Sequence, residues 1–223
     1  MELLDNPVWA ALSGAPSDQV VRHGRGARFD PAVSPFGAVA DPRDPAAWAD
    51  LATLLAPGEH VLVPGPGLTT PAGWTGEAGL PGLQLVGHDY EGAPAPEAVV
   101  LGPGDVPEML DLRERTRPGP FLKRTIELGT YLGIRRGGAL VAMAGERLHV
   151  PGYTEISAVC TDPAYRGAGL ATRLIGAVAA GIRARGEVPF LHCAADNLAA
   201  VRLYENLGFS VRTEMAFLFI TPA

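Results

Sequence analysis

Apolar side chains recur at Leu170, Leu174, Val178 and Ile182, with Ile175 beside them and Arg173, Arg183 and Arg185 off the stripe. That four-residue period predicts a helix over residues 170–185, closed by Gly186. On either side the period drops to two, predicting strands over 153–161 (YTEISAVCT) and 188–194. Asp196-Asn197 caps a second helix that ends at Leu207-Gly208, and residues 209–220 form a closing strand. A strand–helix–strand order predicts a right-handed crossover onto a parallel neighbour. Upstream, residues 97–101 predict a strand, and Asp105 caps a helix to about Arg115 with Met109, Leu110 and Leu112 as its apolar positions. Residues 126–134 and 139–148 then read as a hairpin across Arg135-Arg136-Gly137-Gly138. Two antiparallel connections before a crossover imply a mixed sheet.

The earlier half carries a weaker pattern. Residues 44–55 predict a helix, with Asp44 as cap, Pro45 at its first position and Trp48, Leu51 and Leu55 on one face. Residues 60–63 and 83–86 are short strand candidates. Between them, residues 64–82 are rich in Pro and Gly and predict neither helix nor central strand. Residues 92–96 (GAPAP) resemble a linker, so the chain divides into 1–96, an N-terminal region that is a possible degenerate pseudo-repeat, and 97–223. Charge divides the same way: the first stretch holds 11 acids and 4 bases, the second 13 acids and 14 bases. An anionic ligand is better hosted by the second.

Composition narrows the class. Among 223 residues, 47% are hydrophobic and 19% charged, enough apolar matter for a large core. A net charge of −6 disfavours sequence-blind nucleic-acid binding. Two cysteines, Cys160 and Cys193, cannot supply a disulfide framework or a four-thiolate metal site. No run reaches 18 apolar residues, and the N-terminus lacks a basic region followed by an apolar one. The expectation is a cytoplasmic protein with no membrane, nucleic-acid or metal partner.

Candidate chemistry lies between the third strand and the long helix, in DPAYRGAGLA. Gly167 and Gly169 let backbone N–H groups turn inward at a helix N-terminus, and Arg166 adds a cation, an arrangement suited to a pyrophosphate. A nucleotide P-loop is excluded because no Gly-Lys-Ser/Thr follows. A dinucleotide fingerprint fails at Thr172, where a third glycine belongs, although Glu187 falls near the place of a ribose acid.

Residues 154–209 resemble the core of the GNAT superfamily of acyl-CoA-dependent N-acyltransferases. Arg166-Gly167-Ala168-Gly169-Leu170-Ala171 matches its pyrophosphate motif, and Asn197 followed by Tyr204-Glu205-Asn206-Leu207-Gly208-Phe209 matches a second family pattern. The TEISAVCTDPAYRGAGLA stretch resembles the branch that includes glycine-acyltransferase-like proteins. The resemblance implies an α/β (α+β) fold: a mixed, mostly antiparallel sheet with a splayed parallel strand pair and flanking helices. It also implies acetyl-CoA as cosubstrate and an amine of a small molecule or peptide as acceptor.

Carried onto this sequence, the resemblance implies that Val159, Cys160 and Thr161 meet the pantetheine arm, that Arg166 to Ala171 surround the pyrophosphate, and that Asn197 contacts pantetheine. Val159 N–H would hold the oxyanion. Glu155, which interrupts an apolar strand, is the expected general base, and Tyr204 resembles the general acid that returns a proton to the CoA thiolate. His192 and Cys193 are adjacent on a strand and point to opposite faces, so they do not form a nucleophile pair. A non-catalytic acyl-CoA-binding module is the alternative. Retention of Glu155 and Tyr204 favours the enzyme.

Overall fold

The computed structural model describes residues 2–76 and 79–223. A short helix α1 (Pro7–Gly14) precedes a small antiparallel sheet of β1 (Val20–His23), β2 (Gly26–Phe29) and β3 (Gly37–Val39). Helix α2 (Pro45–Ala52) follows, with Asp44 Oδ1 accepting a hydrogen bond from Ala46 N and Pro45 in the first turn, as the sequence predicts. Then come β4 (Val61–Gly65), β5 (Trp74–Gly76), β6 (Leu80–Val86) and β7 (Val99–Val100). The remaining elements are α3 (Val106–Thr116), β8 (Tyr131–Arg136), β9 (Ala139–Val150), β10 (Tyr153–Thr161), α4 (Leu170–Ala184), β11 (Val188–Ala194), α5 (Leu198–Asn206) and β12 (Ser210–Pro222).

The main sheet has the order β4-β12-β6-β11-β10-β9-β8-β7, with β5 also paired to β12. Only β10 and β11 are parallel among its described pairs; the rest run antiparallel. The mixed, mostly antiparallel sheet therefore stands as expected. Strands from before and after residue 96 alternate in it: β6 lies between β11 and β12, and β4 borders β12. The apolar packing is equally shared, since Leu4, Val8, Leu12 and Phe36 cluster with Leu148, Val150 and Phe190.

Several local expectations need correction. Residues 126–130 are not strand: Thr125–Leu128 is a 3-10 turn, fixed by Thr125 Oγ1, which accepts from Leu122 N and donates to Val33 O. The Pro/Gly-rich stretch does enter a central strand, because β6 begins at Leu80. Pro81 is tolerated there because its pairing is with Ala216 alone, and its carbonyl still accepts from Ala195 N. Glu77 and Ala78, within the same stretch, lie outside the described residues. Residues 97–101 contribute only the two-residue edge strand β7. The hydrophobic pattern does not reveal α1 or β1–β3, elements of three to eight residues.

Candidate active site

The parallel ladder between β10 and β11 runs from Tyr153↔Val188 to Ile156↔Leu191 and stops. Both strands continue, to Thr161 and Ala194, so they part beyond Ile156. β10 also carries a bulge toward β9: the register steps from Ser157↔Gly145 to Cys160↔Met143, leaving one extra residue on β10. Ala158 sits in that bulge at φ +53°, one of two non-glycine residues with positive φ among those described. Such a conformation costs on the order of 1–3 kcal/mol and survives only where its surroundings impose it. Backbone groups of residues 158 and 159 are thus without ladder partners where the strands diverge.

Beyond the split lies a cavity of about 520 Å³. Val159, Cys160, Thr161, Arg166, Gly167, Gly169, Leu170, Ala171, Asn197 and Tyr204 all line it. Ala168, exposed at the loop tip, is the one expected cofactor contact outside the lining. Thr116, Arg117 and Pro118 at the end of α3 close another side, with Arg115 paired to Asp162 beside them.

The loop is built as its sequence implies. Asp162 caps a single turn by accepting from Ala164 N, and Gly167 and Gly169 take φ of +81° and +70°. A Cβ at Gly167 would meet nothing within 4 Å, so the backbone angle, rather than crowding, calls for glycine. The loop delivers the chain into the N-terminus of α4, a 15-residue helix whose dipole favours an anion there. Thr161 Oγ1 is buried in the same lining and has no hydrogen-bond partner among the described residues. Asn197 Oδ1 already caps α5 through Ala200 N, which leaves its Nδ2 to serve a ligand. These features suit a pyrophosphate followed by an amide-bearing arm.

The proposed acid and base lie on opposite faces. Tyr204 is buried with Ile156, Leu191 and α4, and burial, reinforced by Cys193, pushes its phenol well above the usual range. It remains a proton donor at neutral pH. Glu155 is fully buried on the other face, contrary to an accessible base. Arg147 binds it through two hydrogen bonds, Nε to Oε2 at 2.8 Å and Nη2 to Oε1 at 2.6 Å, and His192 Nδ1 meets Oε1 at 2.7 Å. Burial alone would raise its pKa, but the Arg147 charge and these hydrogen bonds outweigh it and hold the carboxyl at about 2. A carboxylate buried at 0% exposure with both oxygens held by Arg147 and His192 does not reach an incoming amine, which runs against the expected role of Glu155 as general base.

His192 takes its place in the geometry. With Nδ1 donating to Glu155, Nε2 is the ring's acceptor and takes a hydrogen bond from Gln84 Nε2 at 3.1 Å. Gln84 is fixed in that orientation: Arg212 Nη1 donates to its Oε1, and its Nε2 donates to Leu4 O. His192 is the first β11 residue beyond the last paired position. Sequence alone does not join these groups, because the parallel register that puts Glu155 opposite Phe190, two residues from His192, leaves no trace in either strand. The cysteines carry no nucleophile: burial pushes both Cys160 and Cys193 up to about 11. No cluster able to hold a metal occurs among the described residues, and none of their helices is long and apolar enough to cross a membrane.

The fold and the crevice together define an acyl-CoA-type transferase scaffold, and comparison with known proteins places it. The chain is 42% identical, with a TM-score of 0.91 and complete coverage of both chains, to a protein of Novosphingobium aromaticivorans assigned to the GNAT family of acetyltransferases. This protein belongs to that GNAT family. Residues 131–218 match the family model of FR47-like proteins. N-alpha-acetyltransferase RimI of Mycobacterium tuberculosis is 42% identical over 82 residues, 35% of this chain and 51% of RimI, so the chain matches about half the length of that curated relative. A GCN5-related N-acetyltransferase of Kribbella flavida shares the fold at a TM-score of 0.66 and 18% identity over 98% of this chain and 93% of its own. None of these relatives is a glycine acyltransferase, and the expected branch gains no support.

Proposed function

We propose that this protein transfers the acetyl group of acetyl-CoA to an α-amine, such as the N-terminus of a peptide, by direct attack in a ternary complex. The observation that carries the reading is the cavity at the split between β10 and β11, whose lining joins the glycine loop, the open edge of β10, Asn197 and Tyr204. In this reading the loop N–H groups and Arg166 hold the pyrophosphate, and the exposed strand backbone binds the pantetheine amides, leaving the thioester at the split. The α-amine preference follows the name of the RimI relative and a physical point: an α-amine has a reference pKa near 8, against about 10.4 for lysine, so more of it is neutral at pH 7.

His192, held by Glu155 through Nδ1, accepts the proton lost by the amine at Nε2, giving up the Gln84 hydrogen bond there, as the amine nitrogen bonds to the acetyl carbon. Unpaired backbone N–H at the bulge, Val159 foremost, stabilises the oxyanion. The C–S bond then breaks, and Tyr204 protonates the departing thiolate. Residues 1–96, through Gln84 and the Leu4 carbonyl, fix the base and wall the acceptor's side.

Calorimetry with acetyl-CoA, followed by thiol release against peptides with free α-amines, lysine side-chain amines and small amines, tests this. Binding with turnover highest on α-amines is expected. Tight binding with no turnover across the panel would instead favour a non-catalytic acyl-CoA-binding module.

A further inference from the structure

Tyr131 opens β8 at the position paired with Gly145 of β9, which in turn pairs with Ser157 of β10. Its ring lies across β9: Cδ1, Cε1 and Cγ all fall within 2.5 Å of the place a Cβ on Gly145 would occupy, so only glycine there admits the phenol. Phe121 packs on the ring in a T-shaped contact at 5.3 Å, and Ala158 and Cys160 share its apolar cluster. The side chain thus points across the sheet toward the bulge where β10 leaves β11. Tyr131 is 1% exposed, yet its hydroxyl has no hydrogen-bond partner among the described residues. A buried, unpaired hydroxyl costs about 1–3 kcal/mol, and each such group in a folded protein calls for an explanation. Arg147 and Glu155 are close enough to act on it electrostatically, on the face opposite Tyr204, but the hydrogen bonds of Arg147 Nε and Nη2 go to Glu155 and not to the phenol.

We propose that Tyr131 is an acceptor-binding residue whose hydroxyl takes a hydrogen bond from the incoming amine. This rests on the acetyl-transfer reading above. A neutral primary amine has two N–H groups and one lone pair. If one N–H donates to Tyr131 Oη and the other carries the proton to be lost, the lone pair is left for the acetyl carbon. The same arrangement explains why the phenol is paired with nothing in the protein: its partner arrives with the acceptor. It also favours primary amines, because a secondary amine has only one N–H and cannot both donate to Tyr131 and lose a proton.

The test is Tyr131→Phe, which removes one oxygen and leaves the packing against Gly145 and Phe121 intact. With the best peptide amine of the panel, KM for the amine should rise about tenfold, as expected for one lost hydrogen bond. The Kd for acetyl-CoA should stay within about twofold, and the unfolding temperature should hold or rise. Unchanged amine kinetics in the variant beside an active wild type would overturn this assignment alone. A lowered unfolding temperature, or a parallel loss of acetyl-CoA affinity, would overturn it as well, by assigning the hydroxyl to folding or to the cosubstrate. A wild type that binds acetyl-CoA but turns over no amine would overturn both this inference and the reading it rests on.

Discussion

The Glu155 carboxylate and the His192 imidazole meet at 2.7 Å from neighbouring parallel strands, immediately around the last paired position between them. In the proposed reaction that contact divides labour: the buried carboxylate orients the ring, and the ring takes the amine proton. Glu155→Gln should therefore lower kcat by about a hundredfold, within the usual range for disturbed acid–base catalysis, while the acetyl-CoA Kd changes little. Equal losses in kcat and cosubstrate affinity, measured by steady-state kinetics and calorimetry, would show that Glu155 supports the cavity instead.

The same carboxylate makes stability depend on pH. Its folded pKa, about 2, lies below the ordinary 4.5, so its contribution is complete above pH 4.5 and is lost as pH falls toward 2. Urea midpoints of the wild type should decline through that window, and those of Glu155→Gln should decline less steeply. Glu155→Ala is harsher, because it strands the buried Arg147 charge, a loss of about 3–5 kcal/mol. A variant as stable as wild type at pH 7 would contradict the buried pair.

Tyr204→Phe should reduce kcat about tenfold or more with acetyl-CoA binding nearly unchanged. The phenol is kept protonated by burial and lines the cavity, but a thiolate with a reference pKa near 8.5 is a tolerable leaving group. The effect should accordingly shrink with thioesters of more acidic thiols. Wild-type turnover in the variant would remove Tyr204 from the proton inventory.

How far the sequence reaches into this site depends on whether a feature is local. The glycine loop, the period of α4 and the Asn197 cap are encoded within a few residues, and each forms where its pattern puts it. The strand bounds of β10 and β11 are legible for the same reason. Glu155 was legible as an intruder in an apolar strand, but not its partner: Arg147 lies eight residues away on β9, and His192 reaches it only through the parallel register. Ala158 shows why a bulge escapes pattern reading, since alanine announces no positive φ. Gln84 comes from the half with the weakest pattern, and its role exists only because β6 inserts beside β11.

Gly167→Val should weaken acetyl-CoA binding about tenfold without unfolding the protein. There is room for the side chain, but the φ of +81° suits only glycine, and an L-residue forced there costs roughly 1–2 kcal/mol. Relaxing that angle turns the loop N–H groups away from the pyrophosphate. Arg166→Ala should weaken binding too, and its deficit should narrow as salt rises, because an exposed cation is screened. Calorimetry across an ionic-strength series distinguishes the two. Identical salt slopes would place Arg166 away from the phosphates.

A chain beginning at Glu97 should fail to fold even though it retains every residue of both family motifs. The main-sheet partners of β12 are β4, β5 and β6, all within residues 61–86, so the shortened chain leaves thirteen residues of strand with no neighbour. β11 would lose β6 and present an open edge rich in apolar side chains, the arrangement most prone to aggregate. Gln84 and the Leu4 carbonyl would go as well, and with them the support of His192. Supplying residues 2–96 as a separate polypeptide during refolding should restore solubility and acetyl-CoA binding together, because the missing strands complete one sheet rather than dock against a finished domain. A soluble, cooperative and fully active fragment from Glu97 onward would show instead that β12 can find another partner, and that the N-terminal strands are dispensable to the transferase core.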